Sequence, residues 1–264
     1  MLEIKDLTVV IKNGAPILND ISLSIEMGTC IGLTGASGSG KTTLIKAIMG
    51  MHSSNLEIQK GKILLDKDNL LNCSGKERRM LCGKVIGFIP QNPMTAFFPH
   101  AKIGQQMVET LQMHTRLGKK QTEALAADIL CQVNLTDTKR VMNAYPGELS
   151  GGMLQRITMA LILGTNPRYV LADEPTSALD EVNRDLLLEL LKIYQKNAGI
   201  LFISHDTEAM KVLCSITHVM EHGRIIETQN TEELFLHPEQ PWTKRFVNAA
   251  CHREEVDWKW IALS

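Results

Sequence analysis

The order of strand and helix patterns along the 264-residue chain predicts an α/β fold, with a parallel sheet covered by helices on both faces. Three observations support this prediction. The apolar run 30–34 leads through a glycine-rich turn into a helical pattern over 42–50. The short apolar runs 169–172 and 199–204 have the length of buried strands. Between them, residues 180–195 place leucines and a tyrosine on one face of a helix.

The N-terminal residues predict antiparallel strands. Apolar and polar residues alternate over 2–11 and again over 21–25, and the intervening pair Asn13 and Gly14 is a hairpin signal. These strands precede the α/β core and are expected to form a small sheet of their own.

A block of helical patterns interrupts the α/β alternation at about residues 95–163. Apolar residues recur three and four positions apart over 105–117, 121–133 and 152–163, and strand patterns are absent from this block. We therefore expect a helical subdomain inserted in the core.

Composition excludes several functional classes. The 28 Lys and Arg residues balance 29 Asp and Glu residues, so no basic excess points to nucleic acid. No apolar stretch approaches the ~20 residues that cross a membrane. Charged residues at positions 3, 5 and 6 argue against a signal peptide, and the six scattered cysteines are expected to be reduced thiols. His218 and His222 fall on a predicted strand that separates them, so zinc is not expected there. The composition thus predicts a soluble intracellular protein.

Residues 35–42, Gly-Ala-Ser-Gly-Ser-Gly-Lys-Thr, fit the pattern G-x-x-x-x-G-K-[ST] between a predicted strand and helix. The glycines let backbone N–H groups turn toward phosphate oxygens, and the helix N-terminus adds favourable potential. Lys41 is expected to reach the β- and γ-phosphates of ATP, and Thr42 to ligate Mg²⁺. A flexible glycine turn is the alternative, which the flanking strand and helix disfavour. The expected ATP-binding residues here are Gly35, Ala36, Ser37, Gly38, Ser39, Gly40, Lys41, Thr42 and Thr43.

An acidic pair ends the predicted strand 169–172. Asp173 stands where a carboxylate can hold the Mg²⁺ shell. Glu174, one residue further, can polarise an attacking water as general base. Taken alone the pair would suggest a solvated loop, but together with the phosphate loop it indicates a hydrolytic site.

A second glycine-rich helix start lies at residues 149–156, Leu-Ser-Gly-Gly-Met-Leu-Gln-Arg. Ser150 is a good N-cap, and Gly151 and Gly152 leave the first helical N–H groups unobstructed. An ordinary capped helix is the alternative for Ser-Gly-Gly alone. The full run, however, resembles the signature of the ABC (ATP-binding cassette) ATPases, and the resemblance extends from residue 2 to about 249.

The resemblance implies further site residues. Gln91, in Ile-Pro-Gln-Asn-Pro, matches the glutamine loop that links Mg²⁺ and the attacking water to the helical subdomain. Residues 177–180 match the D-loop at the dimer interface, and His205 matches the switch histidine that contacts the γ-phosphate. The implied catalytic residues are therefore Lys41, Gln91, Glu174 and His205, with Thr42, Gln91 and Asp173 around Mg²⁺.

The resemblance also implies an architecture. A P-loop NTPase (RecA-like) core would carry an N-terminal antiparallel β-subdomain and the inserted α-helical subdomain at about 95–163. The ABC ATPase domain would span 1–235, and 236–264 would form a short C-terminal extension.

Ile11 departs from the family pattern. The family's N-terminal strand usually offers an aromatic ring that stacks on adenine, whereas this chain has Ile11 near that position. Adenine would then rest on an aliphatic contact, with part of the ~1–3 kcal/mol of base stacking lost.

Three stretches resemble the nickel/dipeptide/oligopeptide importer branch. They are residues 91–99 (Gln-Asn-Pro-Met-Thr-Ala-Phe-Phe-Pro), Tyr145 with Pro146, and residues 237–244 (His-Pro-Glu-Gln-Pro-Trp-Thr-Lys). Residues 153–156, Met-Leu-Gln-Arg, look more like the nickel-importer subunit than like the Met-Arg-Gln-Arg of peptide importers. The sequence is thus interpreted as the ATP-hydrolysing subunit of a bacterial importer of nickel or a related metal chelate. The alternatives are a di- or oligopeptide importer subunit, a soluble non-transport ABC ATPase, and a regulatory cassette without turnover, which the presence of Glu174 and His205 disfavours.

The resemblance implies partners. Two ATPase subunits, identical or not, would sandwich two nucleotides, so Ser150, Gly151 and Gly152 would serve the partner's ATP. Two transmembrane permease subunits would dock on the block around 94–113, with an extracytoplasmic substrate-binding protein engaged indirectly and no nucleic acid. Phe97 and Phe98 are either docking contacts or buried subdomain aromatics. The expected location is peripheral, on the cytoplasmic face of the membrane.

Overall fold

Two β-sheets form the framework of the structure, a computed structural model that describes residues 1–12, 14–51, 54–177 and 179–254. The strands are β1 (Leu2–Ile11), β2 (Pro16–Ile25), β3 (Cys30–Gly35), β4 (Leu56–Leu65), β5 (Asp68–Asn69), β6 (Ile86–Ile89), β7 (Tyr169–Asp173), β8 (Gly199–Ile203), β9 (Ile216–Glu221) and β10 (Arg224–Asn230). The helices are α1 (Lys41–Met49), α2 (Gly75–Leu81), α3 (Ile103–His114), α4 (Lys119–Gln132), α5 (Thr138–Asn143), α6 (Gly151–Thr165), α7 (Glu181–Gln195), α8 (Thr207–Leu213), α9 (Thr231–Leu236) and α10 (Pro241–Glu254). Short 3₁₀ turns lie at Leu70–Asn72, Pro93–Ala96 and Pro146–Glu148.

The larger sheet has the order β10-β9-β3-β8-β7-β6, and only β10 runs antiparallel to its neighbour. Every residue of β3, β7 and β8 is buried. Alternate residues of β8 enter different cores: Phe202 packs in one cluster and Leu201 in the other. This period of two shows that both faces are covered, which confirms the predicted α/β class with a parallel sheet.

The smaller sheet, β2-β1-β4-β5, is antiparallel. The predicted hairpin joins β1 to β2, with Asn13 itself outside the described residues. β4 continues the sheet through Gly61, whose φ is +105° and whose Cβ would lie 2.6 Å from the Leu7 Cα. Only glycine allows β1 and β4 to approach so closely at this irregularity.

The helical block lies between β6 and β7, which are parallel neighbours, so α3 to α6 interrupt one β–β crossover. Ile103, Leu130 and Ile157 of the block are fully buried in the same core as one face of the large sheet. Three of its helices, α3, α4 and α6, begin and end within three residues of the predicted positions, whereas α5 has no counterpart in the predicted patterns. Among the described residues no helix has the length and hydropathy needed to cross a membrane.

Candidate functional site

The loop between β3 and α1 has a backbone that requires glycine. Gly35 has φ +144°, and a Cβ there would lie 1.9 Å from the Met220 carbonyl oxygen. Gly38 and Gly40 have φ +76° and +107°. Gly40 directly precedes Lys41, the first residue of α1. The glycines therefore fold the loop over the start of α1, whose first N–H groups have no helical acceptor.

Lys41 folds back onto the loop. Its Nζ donates to the carbonyl oxygens of Gly35 at 2.6 Å and Ala36 at 3.0 Å, and only 8% of the residue is exposed. Burial lowers the pKa of Lys41, while the charges of Glu174 and Asp173 oppose that shift. The loop thus holds a cationic group beside two carboxylates.

Thr42 and Asp173 meet at the end of β7. The Thr42 hydroxyl donates to Asp173 Oδ2 at 2.9 Å. Burial raises the pKa of Asp173, and the hydrogen bond from Thr42 and the charge of Lys41 oppose this. A hydroxyl and a carboxylate side by side are hard oxygen donors of the kind that Mg²⁺ prefers, so these two residues fit a magnesium site.

Glu174 has φ +47°, an uncommon conformation for a residue other than glycine. Its backbone N–H donates to the Ile203 carbonyl at 2.9 Å, which ties it to the end of β8. Its side-chain Oε2 accepts a hydrogen bond from the His205 backbone N–H at 3.4 Å. The site therefore holds Glu174 in a strained backbone conformation, as catalytic residues often are held.

The second carboxylate oxygen of Glu174 faces the His205 ring. Oε1 lies 3.3 Å from His205 Nε2, an ion-pair distance, yet it makes no hydrogen bond within the described part of the chain. Burial raises the pKa of Glu174, and burial together with the Lys41 charge lowers the pKa of His205. Both shifts favour the neutral form of the group concerned, and both therefore weaken the attraction between Glu174 and His205. Oε1 remains an acceptor available to a water molecule.

A cavity of about 560 Å³ joins these groups. Its volume is within the range of small-molecule sites. Ten residues predicted from the sequence line it: Ser37, Gly38, Gly40, Lys41, Thr42, Thr43, Gln91, Asp173, Glu174 and His205. Ile17 and Ser177 line it as well. No signal in the strand pattern of β2 marks Ile17, and Ser177 is expected only at a dimer interface. Gly35, Ala36 and Ser39 do not line the cavity. Gly35 and Ala36 instead accept hydrogen bonds from Lys41 Nζ through their carbonyl oxygens.

The other predicted nucleotide contacts lie elsewhere. Ser150 caps α6, where its Oγ accepts from the Met153 N–H at 3.2 Å. A Cβ on Gly151 would meet nothing within 4 Å, and none of Ser150, Gly151 and Gly152 lines the cavity. Ile11, 45% exposed at the end of β1, lines a separate depression. Ile17, and not Ile11, is thus the isoleucine that borders the phosphate-loop cavity.

His218, one of the two histidines four residues apart, is held inside the large sheet. His218 is buried, with Nδ1 2.8 Å from Thr228 Oγ1, and burial lowers its pKa to about 4. Over the described ranges no group of three or more His, Cys, Asp and Glu side chains could hold a metal ion. The absence of zinc at His218 and His222 stays a prediction.

The fold and the cavity define a P-loop nucleotide-binding protein, because a glycine loop, its lysine and a strand-end acidic pair converge at the edge of a parallel sheet. Residues 18–177 match the model of the ABC transporter family. The chain belongs to the ABC transporter family.

Two similar proteins are named for transport or import. The oligopeptide transport ATP-binding protein OppD of Lactococcus lactis subsp. cremoris is 39% identical over 241 residues, 90% of this chain and 71% of that protein. The metal-staphylopine import system ATP-binding protein CntD of Staphylococcus aureus is 34% identical over 251 residues, 94% of this chain and 92% of that protein. Among solved structures, the dimeric post-hydrolysis state of the ATP-binding cassette MJ0796 bound to ADP and Pi has TM-score 0.78 at 24% identity, over 88% of this chain and 99% of that chain. This last likeness confirms the fold.

Proposed function

We propose that the chain is the ATP-hydrolysing subunit of a bacterial ABC importer. The convergence of Lys41, the Thr42–Asp173 pair and the Glu174–His205 pair on one cavity supports hydrolysis most directly. Membership of the ABC transporter family and the likeness to two subunits named for transport or import support the transport role.

Each side chain has a separate part in the proposed hydrolysis. Glu174 Oε1 takes a proton from water as the water oxygen attacks the γ-phosphorus, and the bond to the bridging oxygen breaks to release ADP and phosphate. Lys41 offsets negative charge on the β- and γ-phosphates. His205, whose Nε2 faces Glu174, contacts the γ-phosphate and stabilises its charge. Mg²⁺ bound by Thr42 and Asp173, with Gln91 close by, would neutralise phosphate oxygens.

A second ATPase subunit completes the proposed site. Ser150, Gly151 and Gly152 form the start of α6, where Ser150 and Gly151 are exposed, and none of the three lines this chain's own cavity. The N-terminus of a helix attracts anions. We therefore assign this helix start to the ATP of the partner subunit, which is a homologous ATPase, identical or not.

Two permease subunits would dock on the helical block, placing the chain peripherally on the cytoplasmic face of the membrane. A groove of about 890 Å³ lies among α3, α4 and α5. Beside the Gln91 loop, Phe98 is 77% exposed, whereas Phe97 is 6% exposed and belongs to the core. Gln106 fixes this loop by accepting from the Phe98 N–H and donating to the Phe98 carbonyl. The two aromatic residues thus have different roles in this proposal: the exposed Phe98 is available for docking, and the buried Phe97 belongs to the core. A substrate-binding protein would act indirectly, and nucleic acid has no role.

The proposed cargo is a di- or oligopeptide. Residues 153–156 favour nickel when the sequence is considered alone, but the relative with the higher identity is named for oligopeptide transport. A metal chelate is the second candidate, because CntD, named for metal-staphylopine import, is similar along 92% of its length. Nickel itself has no support beyond residues 153–156. ATPase activity of the assembled transporter, measured with candidate peptides and metal chelates, would separate the two cargo classes.

The substitution Glu174→Gln tests the hydrolytic role. Glutamine keeps the oxygen that accepts from the His205 N–H but cannot take a proton from water. We expect ATP turnover by the chain with its partner subunits to fall by about 10²–10³-fold or more, while ATP binding is retained. Glu189→Gln, an exposed glutamate on α7, is the matched control and should leave turnover unchanged. Unchanged turnover in Glu174→Gln would exclude Glu174 as the base. Turnover indifferent to permeases and cargo would favour a non-transport ATPase.

A further inference from the structure

The C-terminal helix α10 is anchored by a buried carboxylate. Glu227, 6% exposed on β10, accepts hydrogen bonds from the backbone N–H groups of Glu239 at 2.8 Å and Gln240 at 3.0 Å. It also accepts from the Thr243 hydroxyl at 2.5 Å. These donors belong to the start of α10, where a negative charge is most favourable. The run 237–244, singled out in the sequence but given no role in hydrolysis, therefore fixes the direction in which α10 leaves the core.

The anchored helix brings an aromatic ring to the nucleotide site. The Phe246 ring centroid lies 6.2 Å from that of the His205 imidazole at an interplanar angle of 65°, an edge-to-face contact. Trp242 stacks on Phe246 from the same helix, at 5.1 Å and 14°. Phe235 of α9 contacts Phe246 from the core, with a centroid separation of 6.5 Å. Trp242 and Phe235 thus pack against Phe246, and the Phe246 ring in turn contacts the His205 imidazole.

His205 therefore contacts two different groups, a carboxylate and an aromatic ring. Its Nε2 lies 3.3 Å from Glu174 Oε1 on the cavity side, and the Phe246 ring covers another side. The imidazole is still 45% exposed, so without Phe246 it would have more room to rotate and more contact with water. A one-ångström displacement of a catalytic group can cost about two orders of magnitude in rate.

We propose that Phe246 is a positioning residue for His205, holding its imidazole toward the γ-phosphate position, and that the Glu227 anchor keeps Phe246 there. The proposal rests on the proposed ATPase function and extends it to the C-terminal helix. It makes the run 237–244 part of the hydrolytic machinery without contact with the nucleotide.

The surroundings of His205 predict how its pKa should change when Phe246 is removed. Glu174 and Lys41 face the ring from β7 and α1, and Asp206 follows it in the chain with Arg184 of α7 4.0 Å away. Burial is the largest cause of the lowered pKa of His205. Loss of the Phe246 ring hydrates the imidazole and leaves these charges in place, so the pKa of His205 should rise toward its ordinary value.

Four variants of the full chain test the proposal. Phe246→Ala removes the ring, Phe246→Tyr retains it, and Glu227→Ala releases the anchor. Val247→Ala is the matched control, since Val247 is a 6% exposed core residue of α10 with no part in the aromatic contact. The measurements are kcat and KM for ATP with the partner subunits present, and the pH titration of the His205 imidazole by NMR on the chain alone.

We expect Phe246→Ala and Glu227→Ala to lower kcat about tenfold, with the affinity for ATP within twofold of the parent. The His205 titration should move upward in both. Phe246→Tyr should keep the parent kcat and titration, and Val247→Ala should lose thermal stability only. If Phe246→Ala does not fold, Glu227→Ala and Phe246→Tyr still give the comparison.

Parent values of kcat and of the His205 titration in Phe246→Ala would overturn the proposal. Equal losses in Val247→Ala would overturn it too, because packing alone would then account for the effect. Failure of the proposed function has a different signature: the parent chain with its partners would not hydrolyse ATP, while the NMR titration would still report whether Phe246 contacts His205.

Discussion

The chain contains two glycine-rich helix starts with the same local chemistry and opposite surroundings. At α1, Gly40 packs against β2, where a Cβ on Gly40 would lie 2.7 Å from the Leu18 side chain. At α6, Gly151 has open space and Ser150 is exposed. The first helix start is enclosed by its own chain and borders the phosphate-loop cavity. The second has N–H groups and no cavity, which is the arrangement expected of a group that acts on another molecule.

The two helix starts are nevertheless connected through the segment after β7. Gln155 of α6, 2% exposed, donates to the Pro175 carbonyl at 3.1 Å. Pro175 directly follows Glu174, so a shift of α6 has a direct route to the proposed base. The two helix starts are therefore connected parts of the proposed catalytic unit: the first half, at α1, is enclosed by the chain, and the second half, at α6, is exposed.

Loss of the Lys41 ammonium should give the largest loss of nucleotide binding, and it tests the helix start that the chain itself encloses. Lys41→Ala removes a charge-assisted contact with phosphate worth ~1.5–3 kcal/mol, so ATP should bind up to about 100-fold more weakly. Titration of a fluorescent nucleotide into the chain measures this. Lys46→Ala, an exposed lysine on the same helix, is the control and should bind normally. Parent affinity in Lys41→Ala would contradict the phosphate role.

A charge at the open helix start should give the next effect. In Gly151→Asp the new side chain has room, so the fold is retained, but its carboxylate repels the partner's phosphates and neutralises a helix terminus worth up to ~2 kcal/mol. Turnover should fall about 30-fold while ATP binding to the isolated chain stays unchanged.

The control for this charge lies four residues earlier. A Cβ on Gly147 also meets nothing within 4 Å, so Gly147→Asp adds the same charge outside the helix start and should leave turnover near the parent value. Weaker ATP binding by the isolated Gly151→Asp chain would show that the signature serves its own nucleotide, and the division between the two halves would not hold.

The phosphate-loop half could be predicted from the sequence because its chemistry is local. Gly35 to Thr42 run without interruption from the end of β3 into α1, and Asp173 and Glu174 lie at the end of β7, so spacing alone brings them to a common sheet edge. The α/β order, the hairpin and the helical block follow from periodicity in the same way.

Contacts created by tertiary packing could not be predicted. Ile17 borders the cavity because β2 crosses the loop near Gly40, and Phe246 reaches His205 because Glu227 anchors a helix from the far end of the chain. Ile11 stands at the expected sequence position but lines a different depression. β4 has no clean alternation, since Gly61 interrupts its pattern where it crosses β1.

The smallest predicted effect concerns stability and the enclosed half alone. Burial raises the pKa of Glu174, so the folded chain binds the Glu174 proton more tightly than the unfolded chain does. The stability contributed by this group is therefore complete below its unfolded pKa of about 4.3 and is lost as the pH rises through the folded value. Glu174→Gln removes the buried charge. At pH values above the folded pKa of Glu174, the substitution should therefore raise the free energy of unfolding by about 1 kcal/mol.

Urea unfolding of the nucleotide-free chain at about pH 8 and pH 4 measures this difference. The gain in Glu174→Gln should be present at the higher pH and small at the lower one, since the parent glutamate is then protonated. Glu189→Gln, exposed on α7, is the control and should leave the free energy of unfolding near the parent value. An equal gain at both pH values would mean that strain and not charge burial is relieved. A general base must be ready to accept a proton, and a buried carboxylate that destabilises the fold when ionised meets this requirement. The exposed start of α6 has no buried carboxylate, so substitutions there should give no such pH-dependent gain in the free energy of unfolding.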